Sequence, residues 1–172
     1  MITTPLADLV RGVTETEQTP GGLRLHRLPA WVRRQYPDPQ LLAMQEQPSG
    51  ARVAFTTQAT RIELVSRPSR VVYRGVDRPR GRIDVAIDGV VHVRDELTGG
   101  DRTEVDLQTG ASTSHVGPDH VTVVSALDTT MKTVELWLPH NESIRLVELR
   151  TDAPVAPIAS DRRVWVHHGS SI

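Results

Sequence analysis

The sequence predicts an all-β fold: an antiparallel β-sandwich, jelly-roll-like, with one or two short N-terminal helical turns. Three observations carry this. About ten short runs alternate apolar and polar residues and end in turn signals. Helical spacing is confined to the residues before Gly50. Asp88-Gly89 separates two alternating runs, and this pair accepts the positive φ of a two-residue type I′ hairpin.

The elements follow in order. Leu6, Leu9, Val10 and Val13 stand at helical spacing, enough for one or two turns. The alternation after Gly12 suits a strand equally well and leads to the turn Thr19-Pro20-Gly21-Gly22. Leu23 to Arg27 alternates as a strand. Pro29 to Tyr36 reads as a short helical turn, Pro37-Asp38-Pro39 breaks it, and Gln40 to Gln45 adds another. Arg52 to Thr57 and Thr60 to Ser66 carry alternating Val, Phe, Ile and Leu. Val71 to Tyr73 follows a break at Pro68. Arg82 to Ile87 and Val90 to Arg94 form the hairpin, and Thr98-Gly99-Gly100-Asp101 is a further turn. Thr103 to Leu107, Val121 to Ala126, Lys132 to Leu138 and Ile144 to Leu149 complete the set. In the Lys132 run, Val134, Leu136 and Leu138 alternate with Glu135 and Trp137, so one side faces core and Trp137 falls on the polar side.

The character changes after Arg150. Residues 1–150 read as the sandwich and 151–160, with Pro154 and Pro157, as a semi-rigid Pro/Ala linker. Residues 161–172 read as a new strand, Arg163 to His167, followed by a sharp serine turn.

Composition bounds the function. The chain has 172 residues and a formal net charge of -1, so no overall basic field draws it to nucleic acid. It has no cysteine, which excludes disulfides and thiolate metal sites and fits a reducing compartment. The start, Met1-Ile2-Thr3-Thr4-Pro5, carries no signal-peptide pattern, and no apolar run approaches the roughly 18 residues a membrane span needs. The expectation is a cytoplasmic protein without cofactor. Six residues are aromatic, so Val, Leu, Ile and Ala must build the core.

The sharpest motif is Gly169-Ser170-Ser171-Ile172, after the apolar run Val164-Trp165-Val166. Strand, glycine turn and exposed serine are how a nucleophile is presented above an α/β sheet. This order of β domain, Pro/Ala linker and strand-Gly-x-Ser-Ile resembles the N-terminal half of a two-domain SGNH (GDSL-type) hydrolase. The segment Leu28 to Pro39 resembles the N-terminal region of actinobacterial members. The family motif is Gly-Asp-Ser-Ile, so Ser170 stands where the family has aspartate, and the resemblance makes Ser171 the nucleophile. It further implies an esterase or acylhydrolase parent acting on a small-molecule or glycan ester, with the sandwich in contact with a downstream catalytic domain. A serine without a base is a poor nucleophile. Missing oxyanion donors remove about 3–4 kcal/mol each. The chain alone is therefore expected to be inactive, cut just after the serine motif. The competing reading is a stand-alone carbohydrate- or protein-binding sandwich.

Other candidates read as ordinary surface. His167 and His168 are adjacent on a strand, point to opposite faces and do not chelate one ion. No metal site is expected. His115, Asp119 and His120 read as solvated loop residues near Gly117-Pro118, without a nucleophile elbow. Arg78, Arg80 and Arg82 read as a solvated loop. Trp31 and Trp137 are candidate contact residues, Trp137 for an interface or a ligand.

Overall fold

The computed structural model describes residues 1–159. The first strands are β1 (Ile2–Thr4), β2 (Val10–Arg11), β3 (Glu15–Thr19) and β4 (Gly22–His26). A 3-10 turn, Ala7–Leu9, joins β1 to β2. Two short helices follow, α1 (Ala30–Gln35) and α2 (Pro39–Gln45). The remaining strands are β5 (Arg52–Thr57), β6 (Ile62–Tyr73), β7 (Arg82–Ile87), β8 (Val90–Glu96), β9 (Asp101–Val105), β10 (Ser112–His115), β11 (His120–Val124), β12 (Lys132–Trp137), β13 (Ser143–Thr151) and β14 (Val155–Pro157).

These strands form the predicted all-β sandwich. The larger sheet runs β10-β9-β6-β13-β4-β3, with β1 added to β13 and β11 to β6. The smaller runs β14-β5-β12-β7-β8, with β2 added to β5. All pairings are antiparallel except β6 with β9. Period-2 alternation sends Leu23, Leu25, Leu64 and Leu146 of the larger sheet and Val53, Phe55, Val134 and Leu136 of the smaller into one core cluster. Phe55 is fully buried there, as the aliphatic composition requires of the one phenylalanine. The β7–β8 hairpin turns at Asp88 and Gly89 with φ of 49° and 81°, the conformation that pair was expected to adopt.

Two expectations change. The break at Pro68 is absent, and β6 runs unbroken from Ile62 to Tyr73. Its flank pairs with β11 through Ser66 and with β9 from Ser69. Pro68 sits at that switch, where the flank has no ladder bond to lose. The linker reading of 151–160 is also corrected as far as the described residues reach. Thr151 is fully buried, and β14 pairs with β5 as an edge strand, where proline is tolerated. The Asp152 carboxylate accepts the backbone N–H of Thr60 at 2.9 Å and of Arg61 at 3.1 Å, fastening the segment to the sandwich. The Thr60 hydroxyl first, then these backbone bonds, hold its pKa below the usual carboxylate range.

Close approach of two strands requires glycine at position 22. At Gly22, φ is 113° and a Cβ would lie 2.6 Å from the Leu146 carbonyl oxygen, so β4 and β13 meet there only because no side chain intervenes.

Candidate functional site

Ser171, the expected nucleophile, lies outside the described residues, as do His167, His168 and the expected strand Arg163 to His167. Trp137 is described. It ends β12 on the outer face of the smaller sheet, half-buried, opposite Arg52 of β5 and Asp84 of β7. The Arg52 guanidinium lies 4.6 Å from the ring centroid, a cation–π stack that occupies one ring face. Arg52 Nε is 2.7 Å from Glu135, an ion pair, yet that nitrogen makes no well-aimed hydrogen bond. Trp137 also borders a hollow of about 360 Å³ with Pro139 and Asn141. Trp31 sits on α1, well exposed.

The larger sheet presents a different surface, positioned by the two helices. Glu15 of β3 accepts the Ala30 N–H at 3.0 Å and the Arg33 guanidinium at 2.9 Å, capping α1. The Ala30 bond, then Arg33, lowers the Glu15 pKa despite partial desolvation. His26 of β4 is buried beneath the helices. Its Nδ1 lies 3.1 Å from Gln45 Nε2 of α2, and its Nε2 lies 2.9 Å from Glu17 of β3. Arg33 Nη1 of α1 lies 3.3 Å from the same Nε2, so the imidazole is held by both helices and by β3. The His26 bond lowers the Glu17 pKa. Glu15 and Glu17 thus pin α1 and the end of α2 to one end of the sheet's outer face.

Beside that end lies a hollow of about 330 Å³. Its floor is a row of three arginines on adjacent strands. Arg145 of β13 stands directly opposite Arg24 of β4 and Arg67 of β6. All three are half-buried. The outer two have acids: Arg67 pairs with Asp119 at 2.7 Å, and Arg24 reaches Glu17 at 3.8 Å and Glu46 at 3.9 Å. The hydrogen bond and charge of Asp119 raise the Arg67 pKa. Arg24 Nε is buried without a hydrogen bond. Arg145, in the middle, has no ion pair or hydrogen bond among the described residues. Its guanidinium lies over Gly21, where an added Cβ would come within 3.0 Å.

A second row of basic side chains crosses the same sheet. Arg70 of β6 stands opposite Arg102 of β9, which stands opposite His115 of β10. These border a hollow of about 430 Å³ that no carboxylate lines and that shares Arg70 with the first. Arg102 and His115 are exposed.

His120 corrects the sequence reading. It is buried, at the start of β11, where a solvated loop residue was expected. The Thr98 N–H donates to its Nδ1 at 3.1 Å, which leaves Nε2 to donate to Asp95 at 2.9 Å. Both nitrogens are engaged, so the pair cannot serve a serine as base. Asp119 faces Arg67 instead. Arg80 is likewise no free loop cation: Glu142, only 2% exposed, accepts from it at 2.8 and 3.0 Å and from the Gly81 N–H at 2.8 Å. Arg78 stacks over Tyr73, and Arg82 lies 3.7 Å from Glu96. Among the described residues no three His, Asp or Glu side chains group to hold a metal, and no helix is long and apolar enough to cross a membrane.

No family model matches the chain, and no curated protein matches it. Solved structures do match. The salicylyl-acyltransferase SsfX3 from a tetracycline biosynthetic pathway aligns over 88% of this chain and 39% of its own, with a TM-score of 0.70 and 23% identity. A GDSL-like lipase from Bacteroides ovatus ATCC 8483 aligns over 91% of this chain and 42% of its own, with a TM-score of 0.57 and 18% identity. At these identities the likeness is one of fold. The chain spans about two-fifths of the length of these structures.

Sequence reasoning missed the arginine row. Arg24, Arg67 and Arg145 are far apart in the chain, and each looks like an ordinary outward strand position. Only the register of β4, β13 and β6 aligns them.

Proposed function

We propose that this chain is the N-terminal accessory sandwich of an SGNH-type serine ester hydrolase or acyl-transferring enzyme. The observation that carries the reading is the sandwich itself, which shares its fold with part of an acyltransferase and of a GDSL-like lipase. The Gly169-Ser170-Ser171-Ile172 motif supports it from the sequence. In this reading Ser171 Oγ attacks the ester carbonyl and loses its proton to a histidine of a catalytic domain that follows. The ester C–O bond breaks and the alcohol leaves with the proton from that histidine; water or an acceptor hydroxyl then takes the acyl group from Ser171 and restores the serine hydroxyl. His26 and His120 are unavailable as that base, since other groups engage both nitrogens of each. Trp137 and its hollow are the proposed contact with the catalytic domain, because β14, on the same sheet, is the last described element.

The test is the product of the native gene, isolated whole and assayed on acyl esters. The reading expects a product longer than 172 residues whose ester cleavage falls by at least about a thousandfold in Ser171→Ala. A Ser171→Ala enzyme of unchanged activity, or a product of this length with no ester cleavage, overturns it.

A further inference from the structure

We infer that the arginine row Arg24–Arg145–Arg67 binds the oxyanion group, a carboxylate or phosphate, of a small ligand. Like charges directly opposite one another across strands destabilise a sheet. Here two such contacts occur side by side, both at Arg145. The local acids do not relieve them. Glu17 and Glu46 lie on the Arg24 side and Asp119 on the Arg67 side, so the row is neutralised at its ends and left positive at its centre. One uncompensated cation between two oriented guanidinium groups suits a single oxyanion, which can accept from all three.

The surroundings favour a small ligand over a long polyanion. The hollow, about 330 Å³, is in the range of small-molecule sites. Met44 of α2 and Glu46, just beyond it, also line the hollow. Arg24 Nε is a buried donor without a hydrogen bond, with Glu46 Oε1 standing 3.9 Å away. Half-burial also strengthens each charge contact, since the groups are partly removed from screening water. The second row lacks that shelter, because Arg102 and His115 stand exposed. The site lies on a different sheet from Trp137, and the inference stands whether or not the chain belongs to an ester hydrolase.

The experiment titrates inorganic phosphate and, separately, succinate into the 172-residue chain at fixed ionic strength, followed by calorimetry. Saturable binding of either anion is expected, and the tighter one names the ligand class. In Arg145→Gln the association constant should fall roughly tenfold or more, as expected for loss of a charged hydrogen-bonding partner. In Arg102→Gln it should stay within about twofold. Arg145→Gln should also melt at the same or a higher temperature, since it relieves repulsion. A structural arginine would give the reverse. Absence of saturable binding by both anions overturns the inference. So does a binding loss in Arg102→Gln rather than Arg145→Gln, or a lower melting temperature of Arg145→Gln.

Discussion

On the outer face of the smaller sheet, Arg52 stands beside Glu135 and stacks on Trp137, while Arg94 lies opposite Asp84. On the outer face of the larger sheet, Arg145 lies between Arg24 and Arg67 and has no acid of its own. The two faces flank one core and share strand geometry, so the backbone does not dictate the difference. Alternating signs across strands contribute roughly 0.2–1 kcal/mol per pair, and like signs cost a similar amount. Each sheet carries a like-charge contact, since Arg11 stands opposite Arg52 on the smaller one, but there Glu135 and the Trp137 ring stand beside Arg52, whereas Arg145 on the larger sheet has neither. What the contrast teaches is where to look for a ligand: at a half-buried like-charge contact that no acid of the sheet relieves.

Four perturbations sharpen or break this contrast. The largest effect is expected where Arg80 borders both the hollow at Trp137 and the hollow at Arg102 and is clamped by buried Glu142. Glu142→Ala leaves that guanidinium and the Gly81 N–H unpaired and should cost about 3–5 kcal/mol in urea unfolding. Next is Trp137→Ala, which removes the stack on Arg52 and half-buried ring area. A loss of about 1–2 kcal/mol is expected by the same assay. The third is a pair of charge reversals with opposite signs. Arg145→Glu turns the row into an alternating one and should raise stability by up to about 1 kcal/mol. Glu135→Arg puts two cations together on the other face and should lower it by a similar amount. Equal signs for the two would remove the contrast.

The smallest effect at any one residue is acid sensitivity. Glu15 and Glu17 have folded pKa values lowered from the ordinary 4.5, mainly by the Ala30 N–H and by His26 respectively. A depressed carboxylate stabilises fully above its unfolded pKa, and that contribution is lost as pH falls through the folded value. Melting temperature should therefore decline as pH drops below about 4.5, and the double variant Glu15→Gln, Glu17→Gln should flatten the decline.

Much of the fold was legible in the sequence because its signals are local. Arg52–Thr57 and Lys132–Trp137 alternate cleanly, and Asp88-Gly89 specifies its own turn. The continuity of β6 was not legible, because Pro68 is tolerated only through the arrangement of β11 and β9, distant in sequence. The edge strand β14 was hidden for the same reason, since its prolines read as linker until β5 is beside them. The site was less legible still. His120 looked like a loop histidine because its partners, Thr98 and Asp95, come from another hairpin arm. The arginine row exists only in the register.

The most direct test of the central claim is the melting temperature of the chain and of Arg145→Glu, each with and without phosphate at constant ionic strength. The account predicts that phosphate raises the melting temperature of the wild-type chain, whereas Arg145→Glu starts higher and does not respond. A variant that melts lower than the wild type, or that responds to phosphate equally, contradicts it.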